Sequence, residues 1–160
     1  MLGTKIYKTD MSNYTECAIW CNQNKATIED KGDYYEVVTL PLPTLEKIKT
    51  AKITELKAER DAREVEPITY QGYSFDYDSK ARERINAAII ALESAGSSAT
   101  LTWTTADNQD VKVTASDLRG IITQVALRSD KLHTAYRKAK ERVVAATTKE
   151  ELNTIELVIE

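Results

Sequence analysis

The side chains that most often carry out catalysis or bind metals are scarce in this sequence of 160 residues. It contains two cysteines, Cys17 and Cys21, and one histidine, His133. A structural zinc site needs about four nitrogen or sulfur ligands, which this set does not supply. The CxxxC spacing also differs from the CxxC of disulfide oxidoreductases. We therefore interpret both thiols as small apolar residues on one helical face, in a protein of a reducing compartment.

His133 has no partner for nucleophilic catalysis in the pattern of the sequence. A lone imidazole cannot build a site that needs two, and no Gly-x-Ser-x-Gly segment supplies an exposed nucleophile. The five glycines are scattered, so neither a P-loop nor a GxGxxG turn occurs. We interpret His133 as a solvated or interfacial side chain. The sequence predicts no catalytic residue, no cofactor and a protein that is not an enzyme.

Two groups of carboxylates are the remaining candidates for acid–base or metal chemistry. The first contains Asp76 and Asp78, and the second contains Asp107 and Asp110. Calcium takes oxygen ligands at alternating positions with a bidentate glutamate downstream, and the second group lacks that glutamate. Both groups lie where turns and helix N-caps are expected, and aspartate is common there. We predict structural roles for them and no metal site, with a glycosidase-like carboxylate pair as the alternative.

The elements that would position these residues fall into three parts. Residues 1–43 predict a small β-α-β-β unit, because short apolar runs of strand type flank one stretch with helical spacing. Pro41 and Pro43 then predict a hinge, since proline fixes φ and extends the preceding residue. Residues 44–66 carry interspersed opposite charges and a thin apolar face, which is typical of a solvated connector helix.

Residues 67–160 predict a C-terminal domain. Alternating apolar residues around turn sequences indicate two β-hairpins, at 68–77 and at 100–114, with a helix between them. A long amphipathic helix follows at about 116–146, and the capping-box spelling that begins at Thr148 predicts a short final helix. The predicted fold class is therefore α+β.

The long helix carries the most informative pattern in the chain. Its apolar residues are spaced alternately four and three residues apart, which is the a/d pattern of helices that pack side by side. The strongest of them are Leu118, Ile122, Val125, Leu132, Tyr136 and Val143. A helix over 116–146 would be about 46 Å long, whereas a compact chain of this size is about 40 Å across. We predict that these residues form an interaction seam, either with the helix of residues 44–66 or with another chain.

The same helix is basic in an otherwise acidic protein. The whole chain has a net charge of −3, whereas residues 116–146 carry seven basic and three acidic side chains. One interpretation is a nucleic-acid-binding regulator, and the other is a face that is solvated or docks on an acidic protein. The nucleic-acid candidates are Arg128, Lys131, Arg137, Lys138 and Arg142. Residues 147–160, with one lysine and four glutamates, could neutralise the basic face within the chain or in a neighbouring copy.

Five segments of the second half resemble a domain that phages and prophages encode among their tail-fibre and tail-assembly genes. They are ITYQGYSFDYDS at 68–79, ARERI at 81–85, WTTADN at 103–108, VTASDL at 113–118 and YRKAK at 136–140. The resemblance covers about residues 60–152. It depends on the order and spacing of the two hairpins, the helix between them and the long helix.

The resemblance implies a non-enzymatic tail protein that acts through protein–protein contacts. It would be either an assembly chaperone of the tail fibre or a fibre-associated minor virion component. The expected partners are tail-fibre or other tail proteins, and a homo-oligomer is a further expectation. The expected location is the cytoplasm of the bacterial host during assembly, or the finished tail for a virion component. No apolar run approaches the roughly 20 residues that span a bilayer, so we expect a soluble chain without a membrane partner.

Overall fold

A computed structural model describes residues 1–159, and the chain divides into two compact units, Met1–Thr44 and Leu45–Glu160. The first unit is a small antiparallel sheet with one helix, and the second combines helices with two β-hairpins. The predicted α+β class is therefore confirmed. The boundary at Thr44 directly follows Pro41 and Pro43, where the sequence predicted a hinge.

The first unit folds in the predicted β-α-β-β order. Its elements are β1 (Lys5–Tyr7), α1 (Tyr14–Gln23), β2 (Ala26–Asp30) and β3 (Tyr34–Thr39). Strand β3 lies between β1 and β2, and both pairings are antiparallel. Alternation along the strands puts Ile6 and Val37 on one face of the sheet, where they share a core with Cys17 and Cys21 of α1. The cysteines are buried in this core, as predicted.

The second unit contains the two predicted hairpins and the long helix. Its elements are α2 (Leu45–Glu64), β4 (Ile68–Tyr70), β5 (Tyr73–Phe75), α3 (Ser79–Ala95), β6 (Leu101–Thr104), β7 (Asp110–Val113), α4 (Ala115–Ala145) and α5 (Lys149–Asn153). Strands β4 and β5 pair with each other, and so do β6 and β7. Gln71 and Gly72 both have positive φ in the first turn, which Gly72 accepts without a side-chain clash.

Helix α2 is a packed element of the second unit, which differs from the connector predicted over 44–66. Leu56 is fully buried in one cluster with Leu132 and Val143 of α4. The other apolar residues of α2 pack around that cluster, namely Leu45, Ile48 and Ile53. The thin apolar face is therefore sufficient, because the a/d residues of α4 complete the contact and six of the eleven charged residues of α2 are themselves partly buried.

Helix α4 spans two separate hydrophobic cores of this unit. Near its N-terminus, Leu118 and Ile121 pack with Trp103 and other residues of the hairpins and α3. Further along, Leu132 and Val143 pack with α2 and with the end of the chain. One long helix thus holds both halves of the unit together.

The N-terminus of α4 is fixed by a capping box. The Thr114 hydroxyl accepts a hydrogen bond from the Asp117 backbone N–H (3.2 Å), and the Asp117 carboxylate accepts one from the Thr114 backbone N–H (2.9 Å). Gln71 of the first hairpin donates a further hydrogen bond to the same carboxylate (3.2 Å). Hydrogen bonds from the Thr114 hydroxyl and N–H hold the pKa of Asp117 below its ordinary value. The box therefore joins the start of α4 to the hairpin.

After α5 and a turn at Thr154, residues 155–159 continue without forming a helix or a strand. Thr148 is the N-cap of α5 in the predicted capping box. Ile155 and Leu157 point inward and are buried in the core that α2 and α4 share. Arg63 of α2 donates a hydrogen bond to the Leu157 carbonyl (3.4 Å). The segment, called here the C-terminal segment, therefore closes that core.

Candidate protein-binding surface

The residues of the predicted seam lie inside the chain. Leu118, Leu132 and Val143 are buried in the two cores, and Val125 is buried as well. Ile122 and Tyr136 are half-buried at the margins of the cores. The guanidinium of Arg60 in α2 stacks over the Tyr136 ring at 4.8 Å.

Only the C-terminal part of the seam packs on α2 as predicted, because Leu132 and Val143 share a core with that helix, whereas Leu118 and Ile122 pack with the hairpins and α3. The buried stripe of α4 also includes Ile121 and Ala135, which lie outside the a/d positions. A strict a/d pattern describes a narrow contact between two helices, whereas α4 is covered by α2, α3, a hairpin and the C-terminal segment. A partner of α4 would contact its remaining faces.

Arg128, one of the nucleic-acid candidates, is used to cap helix α2. Its guanidinium donates hydrogen bonds to the carbonyl oxygens of Glu64 (2.8 Å), Glu66 (2.7 Å) and Pro67 (3.2 Å). The last carbonyls of a helix have no partner inside the helix, and a positive charge there also opposes the helix dipole. Arg128 therefore joins the end of α2 to the middle of α4, and these donors are not available to phosphate groups.

His133 belongs to the same joint. The Ser129 hydroxyl donates a hydrogen bond to Oε1 of Glu64 (2.8 Å), and Nε2 of His133 lies 3.5 Å from the same oxygen. The imidazole is about half exposed. In a catalytic triad the serine hydroxyl would bond the imidazole, whereas here it bonds the carboxylate. The three side chains therefore form a surface contact between two helices and not a triad.

The other basic residues of α4 do not form one face. Successive helical residues are rotated by about 100°, so Lys131, Lys138 and Arg142 lie along one line. Arg137 and Lys140 lie on the opposite side, about 120° and 180° from that line. A duplex that contacts one side of the helix would meet only part of the positive charge, which weakens the interpretation as a nucleic-acid-binding helix.

Of the four aspartates in the two carboxylate groups, one serves a helix cap, one a turn, and one bonds across a hairpin. Asp78 is the N-cap of α3 and accepts a hydrogen bond from the backbone N–H three residues later (2.7 Å). In the second hairpin, Asp107 accepts from the Thr105 hydroxyl (2.5 Å), and Asp110 accepts from the Thr104 hydroxyl (2.9 Å). Within the described residues, no group of three or more Asp, Glu, Cys or His side chains could hold a metal ion.

The two thiols are unreactive by their surroundings. Both are free and buried, and burial raises the pKa of the Cys17 thiol above its ordinary value. Thiolate is the nucleophilic and metal-binding form of cysteine, so this environment disfavours both chemistries.

An exposed apolar surface lies beside α4, where the C-terminal segment runs along the helix. Leu127, Val158 and Ile159 are 56%, 59% and 40% exposed. Ile159 and Leu127 line one depression together with Lys131, and Val158 lines the next depression, again with Lys131. We call Leu127, Lys131, Val158, Ile159 and the neighbouring Lys138 the lateral surface.

One sequence signal for the lateral surface was missed. Residues 155–159 read IELVI, an apolar run with a single charge that is typical of a strand, although it forms no ladder in the described residues. Leu127 is outside the a/d pattern, so a heptad analysis passes over it. An apolar residue on the polar side of an amphipathic helix is the feature that indicates a second contact.

No helix in residues 1–159 combines the length and hydropathy that crossing a bilayer requires.

Comparison with known proteins gave one match. A family model described as a domain of unknown function (DUF4376) matches residues 47–156, which begin inside α2 and end inside the C-terminal segment. Searches of curated proteins and of solved structures found no match. The match thus covers nearly all of the second unit, including both hairpins, α4 and part of the C-terminal segment. Since it spans more than half of the chain, the protein belongs to the DUF4376 family.

Proposed function

We propose that this chain is a non-enzymatic tail protein of a phage or prophage and that it acts through protein–protein contacts. The lateral surface is the observation that supports contact as its mode of action. Three large apolar side chains are exposed there beside lysines, and of the three only Leu127 lies within the residues that the family model matches. Apolar residues with a charged rim are typical of protein interfaces. The resemblance of both hairpins and α4 to a tail-fibre-region domain supports the location in a tail.

Two roles are compatible with this mode of action, an assembly chaperone for the tail fibre and a fibre-associated minor virion component. A chaperone would act in the host cytoplasm and leave the particle, whereas a component would stay in the tail. We favour assembly or attachment, since a small protein with a long exposed helix side suits docking on an extended fibre.

The test is to change the lateral surface in the phage or prophage that encodes the chain. Leu127→Asp and Val158→Asp place charges in the contact, and both side chains are exposed, so the fold should be kept. Ile90→Asp is the matched control, because Ile90 is an exposed apolar residue (66%) on α3, away from the lateral surface. Fibres per particle are counted by electron microscopy, and the chain is assayed in purified particles by immunoblot.

The proposal expects fewer fibres with the two lateral variants and normal fibres with Ile90→Asp. The chain is then a component if it is present in normal particles and a chaperone if it is absent from them. Normal fibres and infectivity in all three variants would contradict a role of the lateral surface in tail assembly. If deletion of the gene leaves tails intact and the protein instead binds DNA with salt-dependent affinity, the tail proposal is wrong and the regulator is supported.

A further inference from the structure

We infer that the lateral surface is the contact between two copies of this chain. It rests on the proposed function, because both take the lateral surface as a site of protein contact. It adds that the partner at this surface is a second copy of the chain. A dimer contact with twofold symmetry uses the same surface on both copies, so such a surface must be complementary to itself. The lateral surface meets that condition in its apolar residues and in its charges.

The apolar part supplies the centre of the contact. Leu127 projects from α4 beside Ile159 of the C-terminal segment, and Val158 lies in the next depression, which shares Lys131 with the first. Each apolar residue of one copy can pack on those of the other after a twofold rotation. Removing them from water is the favourable term that a contact of this kind needs.

The charged residues of the surface are also complementary between two copies. Ile155 and Leu157 point inward, so Glu156 between them points outward on the same segment. Lys131 lies beside that segment on α4. Within residues 1–159 neither Lys131 nor Glu156 forms an ion pair, so each is left to pair with the opposite charge of a second copy.

The size of the surface predicts how strong the dimer is. From Gln124 to Lys138 the helix side is about 21 Å long, and it is one helix and one chain segment wide. Standard interfaces bury about 800 Å² on each partner, and this strip is smaller. We therefore expect a reversible dimer that forms as the protein concentration rises through the micromolar range.

The first measurement is sedimentation velocity of the full chain from low to high micromolar concentration. The parent chain should shift from monomer to dimer. Val158→Asp should weaken dimerisation by roughly tenfold or more, because it puts a charge at the apolar centre. Ile90→Asp on α3 should dimerise like the parent, and circular dichroism checks that both variants are folded.

A charge-swap mixture tests the pairing between copies directly. Lys131→Glu alone sets two carboxylates against each other across the contact, and Glu156→Lys alone sets two lysines against each other. Each variant by itself should therefore be monomeric. An equimolar mixture of the two should dimerise, because the charges across the contact become opposite again in the mixed dimer. An effect within one chain could not be rescued by mixing.

A parent chain that stays monomeric at every concentration, or a dimer that Val158→Asp leaves unchanged, overturns the inference. So does a mixture of the charge variants that remains monomeric while the parent dimerises. Failure here is distinguishable from failure of the proposed function. If the chain is monomeric but the lateral variants still lose fibres, the tail role stands and the surface binds another partner. If the variants lose the dimer but tails stay normal, the dimer stands and only the tail role is wrong.

Discussion

The two cores along α4 are built from different side chains. The core near its N-terminus contains large residues from both hairpins and from α3, with Phe75, Ile85 and Trp103 among them. The core near its C-terminus contains three alanines of α4 and its end, and α2 contributes one buried residue, Leu56. The first core is enclosed by both hairpins, α3 and α4, whereas the second is enclosed by α2, α4, the short α5 and the C-terminal segment.

The difference indicates how each core is specified. Small residues let helices approach closely, so the second core is thin, and each large side chain in it carries a greater share of the buried area. The first core has several large residues that support one another. We therefore expect the second core to fail first, and the next four variants test this in order of decreasing effect.

Leu56→Ala should have the strongest effect of the four. It removes the one fully buried side chain of α2 and should lower the free energy of unfolding by about 3 kcal/mol, since a cavity remains next to α4. Urea denaturation followed by circular dichroism measures the change, and Leu42→Ala, at an exposed leucine, is the control. Hydrogen exchange should accelerate in α2 before it does in α3. Equal acceleration in both helices would mean that the two cores are one cooperative unit.

Arg128→Met tests the joint between α2 and α4. It keeps much of the side-chain length but removes the donors to three carbonyls at the end of α2, which should cost about 2 kcal/mol. Thermal unfolding gives the change, with the exposed Arg142→Met expected within about 0.5 kcal/mol of the parent. Arg128→Lys should recover only part of the loss, because one ammonium does not match a planar fork of donors. Full recovery with lysine would show that charge alone matters.

Gly120→Ala tests the first core. A Cβ at this helical position would collide with the ring and hydroxyl of Tyr70 on the first hairpin. We expect a net loss of about 1 kcal/mol, since overpacking outweighs the better helix propensity of alanine. In a Tyr70→Ala background the same change should become stabilising. A double-mutant cycle by urea denaturation measures both values, and no change of sign would contradict a close contact at Gly120.

Asp117→Asn should have the weakest effect, and the effect should depend on pH. The pKa of Asp117 is lowered by its hydrogen bonds to Thr114, so its contribution is present above the ordinary carboxyl pKa and is lost as pH falls through the lowered value. The variant should therefore be less stable than the parent by about 0.5 kcal/mol at neutral pH and equal to it well below about pH 4. Unfolding curves at several pH values test this, and a difference that persists in acid would point to packing.

Local sequence signals predicted most of the elements. The two hairpins, the caps at Asp78 and Thr148 and the boundaries of α4 depend on residues within a few positions of one another, so a single sequence contains them. The capping box of α4 is also a local feature, since Thr114 and Asp117 are three residues apart. The interpretation of carboxylates as turn and cap residues is confirmed at Asp78 and Asp107 for the same reason, whereas Asp110 is a strand residue that bonds across the second hairpin.

The candidate site was less predictable because it depends on contacts between distant residues. The heptad pattern identified a buried face of α4 but could not say which element covers it, and much of that cover comes from α2, whose apolar face is thin. Arg128 looked like part of a basic patch until the end of α2, 62 residues away along the chain, was placed beside it. Leu127 gains its neighbours only when the C-terminal segment folds back along α4.

Local patterns were sufficient for the α+β class, the boundary between the units near Thr44 and the order of the elements, since periodicity, turn residues and caps involve near neighbours. The folded chain was needed to show that α2 belongs to the second unit, that the heptad residues are core, and that the residues of the lateral surface come together. Burial depends on which residues pack against a side chain. The spacing of apolar residues along the chain shows which face of a helix is buried but not which element covers it.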